Sequence, residues 1–359
     1  MKTVLLSPEV FHADGGIARI MRLYLKALCE TSTADDVIVS IALNDKPGHD
    51  PRLGRYSTNA LQQTIGCARS KLRFIRSCLL QSTDADRLVC GHLHQLPIAW
   101  LMQRLRPELR YYLVAHGIEV WRPYSSYEAF ALRGAHRILC VSEYTRRQML
   151  RFCPTLEADR LVVVPNTLDP FFNPLTASSA SSAPFGSPRI LTVSRLSSTD
   201  TYKGVDTLIE AMPGFLREYP RARLRVVGSG DDLPRLQAIA QINGVTGAVD
   251  FTGRLSDEAL RAEYAICDFF ALPSRKEGFG LVYLEAMTYG KSCLGARAGG
   301  IPEVINDQVG TLAEYGNISE ISAALTDLAR HPRDSEVVRH HAESFSFQVF
   351  QKHLAAALT

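Results

Sequence analysis

The chain is poor in the features that mark several common classes. It has no run of 18 uninterrupted apolar residues, so no membrane-spanning helix is expected. Its eight cysteines, at 29, 67, 78, 90, 140, 153, 267 and 293, include no C-x2-C pair. Neither a zinc site nor a disulfide framework is suggested. Cys90 and Cys140 lie in apolar runs and read as buried thiols of a reducing, cytoplasmic compartment. His92-Leu93-His94 alternates like a strand end but has no Cys or carboxylate partner at zinc spacing. Gly228-Ser229-Gly230-Asp231-Asp232 is a dinucleotide fingerprint without its third glycine, and its Asp pair reads as a cap of the next helix. The first eight residues are too short and too soon broken by Pro8 for a signal peptide, and read as a strand.

What is present is an ordinary globular composition, 46% hydrophobic and 21% charged, over 359 residues, a length that suggests two domains. Segments 3–7, 37–43, 87–91, 111–115, 138–142 and 161–164 read as buried strands. Helical patterns such as 18–30 and 143–152 lie between them, giving the βαβ rhythm of a doubly wound parallel sheet. A Ser/Ala/Pro-rich stretch at 173–184 breaks the rhythm and reads as a linker. The rhythm restarts with strand candidates at 190–194, 224–228, 249–252, 269–272 and 292–296. Two similar α/β halves joined flexibly imply a ligand-binding cleft between them. Residues 1–170 carry 22 Lys and Arg against 16 Asp and Glu, a net +6, while the remainder is net −3. The first half is therefore expected to meet an anionic partner.

The most informative stretch is Glu277-Gly278-Phe279-Gly280-Leu281, continuing to Glu285. It follows the apolar run Phe269-Phe270-Ala271-Leu272 and precedes a helix expected over 281–289. A flexible turn entering a helix presents free N–H groups and a positive dipole end, suited to phosphate or a polar sugar. Glu277 and Glu285 would stand about 12 Å apart at 1.5 Å per residue, a span that fits a nucleotide sugar. The plainer alternative is a glycine turn and a capping carboxylate on an ordinary helix.

The stretch resembles the E-x7-E signature of retaining GT-B glycosyltransferases of family 4. Further blocks carry the same resemblance in the same order along nearly the whole chain. They are Gly15-Gly16, Val141-Ser142-Glu143-Tyr144-Thr145, Pro165-Asn166-Thr167-Leu168-Asp169, Arg195-Leu196 with Lys203-Gly204-Val205-Asp206, Phe251-Thr252-Gly253-Arg254-Leu255 and Gly299-Gly300-Ile301-Pro302-Glu303. Ser194 stands where the family has glycine, and Thr167 and Leu168 also depart from it.

The resemblance implies a GT-B fold of two Rossmann-like domains. Residues 1–170 would form an acceptor domain, joined by a terminal helix at 345–359 that crosses back. Residues 171–188 would form the linker and 189–344 the nucleotide-sugar domain. It implies that Arg195 and Lys203 clamp the donor diphosphate, a fixed fork and a mobile point charge. Glu277 would hold sugar hydroxyls beside the amides of Gly278, Phe279, Gly280 and Leu281, and Glu285 the ribose. Gly15 and Gly16 would meet the donor phosphate, Arg254 and Leu255 the base, and His116 the sugar and acceptor. Glycines 299 and 300 would bring backbone amides near the ligand. Ser142 is expected to cap a helix.

No residue stands out as a nucleophile. The implied reaction moves a hexose from a UDP- or GDP-linked donor to a glycan or lipid-linked acceptor, without cofactor or essential metal and with retained configuration. The alternatives are a sugar phosphorylase, a nucleotide-sugar epimerase, or a non-catalytic nucleotide-sugar-binding subunit. No nucleic-acid partner is expected. Residues 69–80 read as a basic amphipathic helix, with Arg69, Arg73 and Arg76 on one face and Leu72, Ile75 and Leu79 on another. The apolar face either lies on an anionic membrane surface, at the inner face of a membrane, or packs on the core.

Overall fold

The computed structural model describes residues 1–13, 15–172 and 187–359. Most of the expected linker, 173–186, lies outside the described residues. The chain divides into two compact units, Met1–Asp169 with Phe347–Thr359, and Pro170–Ser346.

The first unit runs β1 (Lys2–Ser7), α1 (Gly16–Thr31), β2 (Val37–Ala42), β3 (Leu61–Gly66), α2 (Lys71–Ser82), β4 (Arg87–Cys90), α3 (Leu96–Leu105), β5 (Arg110–Ala115), α4 (Ser126–Gly134), β6 (Arg137–Cys140), α5 (Glu143–Phe152) and β7 (Leu161–Val163). Its seven strands are all parallel, in the order β3-β2-β1-β4-β5-β6-β7. β1, β2 and β5 are apolar runs buried along nearly their whole length, because helices cover both faces of a parallel sheet. β3 was not foreseen. Its Leu-Gln-Gln-Thr-Ile-Gly sequence is half exposed, as suits a strand at the edge of the sheet.

The second unit runs β8 (Arg189–Val193), α6 (Val205–Glu218), β9 (Arg223–Val227), α7 (Leu233–Ile242), β10 (Val249–Gly253), α8 (Asp257–Ile266), β11 (Phe269–Leu272), α9 (Leu281–Thr288), β12 (Ser292–Ala296), β13 (Gly310–Ala313), α10 (Ile318–Arg330) and α11 (Ser335–Glu343). The sheet is again parallel, ordered β10-β9-β8-β11-β12-β13. β13 also escaped the sequence reading. It is four residues long and opens on Gly310, where a Cβ would overlap the Cys293 carbonyl oxygen of β12.

The last helix, α12 (Phe347–Leu358), returns to the first unit. Phe350 stands edge-on to Tyr24 of α1 at 5.1 Å, and both are buried. Its C-terminal carbonyls have no partner within the helix. Arg87 and Tyr112 donate to the Leu358 carbonyl at 3.2 and 3.1 Å, Arg137 to Ala356 at 2.8 Å and Arg110 to Thr359 at 3.3 Å. Arg87, Arg110 and Arg137 are the first residues of β4, β5 and β6. Cations at a helix C-terminus also complement its dipole. Part of the positive excess of the first half therefore serves an internal helix end.

α2 departs from the helix expected over 69–80 at its first residues, and its apolar stripe departs from the core-packing reading. Arg69 precedes the helix in a left-handed conformation, φ 66°, so it does not share the face of Arg73 and Arg76. The core-facing residues are Phe74, Cys78 and Ser82. Leu72 is 79% and Leu80 61% exposed, and Ile75 and Leu79 are also exposed, so the apolar stripe is not core packing.

Candidate functional site

In each unit the chain leaves the first strand toward one side of the sheet and later crosses to the other. The loops leaving the neighbouring strands at that point diverge, and ligands of open α/β sheets bind there. In the second unit the pair is β8 and β11.

The loop after β8 carries Arg195 and Lys203, and the loop after β11 carries Glu277. A 3-10 segment, Ser198–Lys203, ends at Gly204, whose φ is 73°. A Cβ at Gly204 would overlap the Pro273 carbonyl oxygen, so only glycine permits this contact between the two loops. The Arg275 amide and the Ser274 hydroxyl donate to the Tyr202 carbonyl at 2.8 and 3.3 Å. The docking places Lys203 Nζ 2.5 Å from Glu277 Oε1, between residues 74 positions apart.

Glu277 is held from behind. The Gly300 amide donates to its carbonyl at 2.8 Å, and Gly299, at φ 61°, lies so close that a Cβ would stand 2.5 Å from the same oxygen. The Gly300 amide is therefore spent on the backbone of Glu277 rather than offered to a ligand. Glu303 is exposed in a short turn.

Arg195 Nε donates to Asp200 Oδ2 at 2.6 Å, while the Arg195 side chain remains 72% exposed. Asp200 is buried, and it also accepts from the Tyr202 hydroxyl at 3.0 Å. The Asp200 carboxylate raises the Arg195 pKa further, mainly through this hydrogen bond. Arg195 and Lys203 line one small depression. Asp200 is the residue sequence reasoning missed. Its only signal was an acid in the spacer between the two cations.

α9 begins at Leu281, behind Gly280 at φ 94°, with no side-chain cap and no acidic residue in its first turn. The Tyr283 amide returns to the Gly280 carbonyl at 3.1 Å, so Leu281 and Val282 carry the opening N–H groups that the helix itself does not satisfy. Gly278 is half-buried, while Phe279 is buried against Phe345 at 5.4 Å between ring centres. Glu285 differs from expectation. The 12 Å span assumed helix from Glu277, but the helix starts four residues later. Glu285 has 0% exposure and accepts from the buried Tyr264 hydroxyl at 2.8 Å. Its neighbours Tyr283, Leu284, Ala286 and Met287 are buried too, so the middle of α9 is enclosed and Glu285 ties it to α8. The carboxylate is thus covered rather than open to a ribose. Arg254 and Leu255 follow β10, the edge strand, which β9 separates from β8; Arg254 is exposed.

The Asp pair at 231–232 neither caps α7 through a side chain nor gathers other ligands. Asp231 accepts from the Ser198 amide and hydroxyl at 3.0 and 2.5 Å, and Asp232 holds Arg235 at 2.7 and 2.8 Å. Among the described residues no group of three His, Cys, Asp or Glu is placed to hold a metal ion. All eight cysteines are free and buried, and no described helix is long and apolar enough to cross a membrane.

In the first unit the corresponding strands are β1 and β4. Gly15 and Gly16 open α1 with no side-chain cap, both are exposed, and a Cβ at either would meet nothing within 4 Å. His116 follows β5. Its Nε2 lies 2.9 Å from the Gly91 carbonyl at the end of β4, which can only accept, so Nε2 carries the proton. Its amide donates to Glu119 at 2.6 Å. Burial lowers the neighbouring His92 to a pKa of about 4. Ser142 caps α5, its hydroxyl accepting from the Thr145 amide at 3.1 Å.

Residues 177–344 match the family model described as glycosyl transferases group 1, and residues 15–171 match that of glycosyltransferase family 4. A GDP-mannose-dependent alpha-(1-6)-phosphatidylinositol monomannoside mannosyltransferase of Mycolicibacterium smegmatis is 39% identical over 139 residues, 36% of this chain and 36% of that protein. The match thus spans about a third of that relative's length. Alpha-maltose-1-phosphate synthase of Mycobacterium tuberculosis is 26% identical, covering 96% of this chain and 92% of that protein. The crystal structure of Anabaena Alr3699/HepE in complex with UDP and glucose superposes with a TM-score of 0.77 at 18% identity, covering 100% and 99% of the two chains. At that identity the likeness concerns the fold.

Proposed function

The chain belongs to family 4 of the GT-B glycosyltransferases, and from that premise we propose that it is a retaining hexosyltransferase using a nucleoside-diphosphate sugar. The acceptor is a glycan or lipid-linked hydroxyl. Names of relatives such as the mannosyltransferases make GDP-mannose the first donor to test, with UDP-glucose the second. The observation that carries the reading is the Lys203–Glu277 ion pair beside the uncapped start of α9, with Arg195 held close by.

In this reading the bond between anomeric carbon and phosphate oxygen breaks, and its electron pair stays on the diphosphate. The acceptor oxygen attacks from the same face, and its proton passes to the leaving phosphate. Negative charge grows on the diphosphate, so Arg195, Lys203 and the α9 amides stabilise the transition state more than the ground state. Glu277 orients Lys203 and holds sugar hydroxyls. Asp200 is a positioning residue that fixes the guanidinium of Arg195. Glu285 acts through α9, or meets the ribose once uncovered. Gly15 and Gly16 meet the donor phosphate, Arg254 and Leu255 the base, and His116 the sugar. No metal or cofactor is invoked.

Thermal-shift screening against UDP-, GDP-, ADP- and dTDP-sugars tests donor binding, because a ligand of the native state raises its stability by mass action. One base class is expected to raise Tm, and no shift with any donor at millimolar concentration would sink the reading. Asp200→Asn removes the charge that fixes Arg195. It is expected to lower kcat about tenfold with little change in KM, the worth of one charge-assisted hydrogen bond. An unchanged kcat would remove Asp200 from the site.

The free, buried cysteines support a reducing, cytoplasmic location. The exposed stripe of α2 supports attachment to an anionic membrane surface. α2 contains Lys71, Arg73 and Arg76 and no acidic residue. α3, which packs on α2 and α4, adds exposed Leu101 and Leu105, and α4 adds exposed Tyr127 and Phe130. The one carboxylate on these three helices, Glu128, is engaged by Arg122 at 2.6 Å. Leu72→Ser with Leu80→Ser is expected to cut co-sedimentation with anionic vesicles at least tenfold. Failure of the unaltered chain to bind such vesicles at low salt would refute attachment.

A further inference from the structure

Arg195 and Lys203 stand at opposite ends of the loop between β8 and α6. The backbone of that loop is fixed at both ends. The Ser194 and Leu196 amides donate to the Val227 and Ser229 carbonyls at 3.0 and 3.1 Å, and the contact of Gly204 with Pro273 holds the other end. What the backbone leaves open is the direction of two long side chains. Lys and Arg have several rotatable bonds, and a side chain not already held loses that freedom when an anion binds.

Tyr202 meets the supports of both. Its hydroxyl donates to Asp200 Oδ1 at 3.0 Å, while Asp200 Oδ2 accepts from Arg195 Nε at 2.6 Å. Phenol, carboxylate and guanidinium thus form one chain. Burial and the Asp200 carboxylate raise the pKa of the phenol, which keeps its hydroxyl protonated as a donor.

The ring serves the second cation. Lys203 Nζ lies 5.7 Å from the ring centre, within cation–π reach. Lys276 Nζ, from the loop after β11, stands at the same 5.7 Å, so one ring faces an ammonium from each loop. The backbone of Tyr202 is itself anchored to that second loop, its carbonyl accepting from the Arg275 amide and the Ser274 hydroxyl.

We propose that Tyr202 is a positioning residue of the donor site, which steers Arg195 through Asp200 and Lys203 through its ring toward the same diphosphate. The inference rests on the glycosyltransferase reading for the identity of that anion, and it gives Tyr202 no contact with the donor itself. Both cations are ordered before the diphosphate arrives, so less freedom is lost on binding. The charge that grows as the sugar leaves appears on the outer phosphate, which a nucleoside monophosphate lacks.

Calorimetric titration of the full chain with GDP, GMP, UDP and UMP tests this. Tyr202→Leu keeps the backbone contacts and removes the ring face and the hydroxyl. It should weaken binding of the preferred diphosphate about tenfold and leave binding of its monophosphate unchanged. Tyr202→Phe keeps the ring and the packing, so it remains informative should the leucine variant lower Tm. It should reduce kcat about threefold, and that loss should vanish in an Asp200→Asn background, because both changes act through Arg195. Equal loss of monophosphate and diphosphate binding would mark Tyr202 as merely structural and overturn the proposal. Unchanged diphosphate binding in Tyr202→Leu, or an undiminished effect of Tyr202→Phe in the Asp200→Asn background, would overturn it too. Failure of the unaltered chain to bind either diphosphate would overturn the donor reading along with it, whereas normal binding by that chain and by both variants would overturn this inference alone.

Discussion

Lys203→Ala is expected to lower kcat for hexosyl transfer by about 10²- to 10³-fold, the usual cost of removing a fixed donor to transition-state charge. The chain should stay folded, because Lys203 is a partly exposed end of a turn rather than a core residue. Two losses combine. The leaving diphosphate loses a cation, and Glu277 loses the ammonium that orients it at 2.5 Å. Glu277→Gln keeps the shape and removes the charge, and about 1.5–3 kcal/mol, at least tenfold, is expected from the lost charged hydrogen bond. The double variant should fall short of the product of the two effects, since the residues share one interaction. Steady-state kinetics with the donor found by thermal shift checks this. A Lys203→Ala enzyme with full kcat would contradict the assignment.

Truncation after Ser346 is expected to unfold the first unit. α12 buries Phe347, Phe350, Leu354, Ala357 and Leu358, and each large side chain contributes about 1.5–3 kcal/mol. Their sum approaches the total stability of a typical domain, about 5–15 kcal/mol. Phe350→Ala alone should cost about 3–5 kcal/mol, through lost burial and the cavity left beside Tyr24. Arg137→Ala should cost about 1 kcal/mol, one hydrogen bond to the helix end. Urea denaturation of the three proteins, followed by circular dichroism, ranks them. A truncated chain with an unchanged midpoint would show that α12 is dispensable.

The alternating rhythm was legible because strands buried on both faces are continuous apolar runs. β3 and β13 were not, since one is a half-exposed edge carrying Gln62 and Gln63 and the other a short segment opened by a glycine. The pairing of Lys203 with Glu277 was legible only as two separate motifs. What joins them is the adjacency of β8 and β11, a property of strand order that spacing cannot encode. Glu285 shows the converse. Its spacing from Glu277 was plain, but its complete burial depends on packing around an apolar helix. On α2 the apolar stripe was visible, yet which side meets the sheet was decided by Phe74 and Cys78.

The central claim is tested most directly by the fate of the anomeric carbon. The chain is incubated with α-linked nucleotide hexoses, and the first-formed sugar is followed by proton NMR. Release of nucleoside diphosphate with an α product, slow into water, faster with an acceptor and lost in Lys203→Ala, is the expected result. No release from any donor, or a β product, would contradict it.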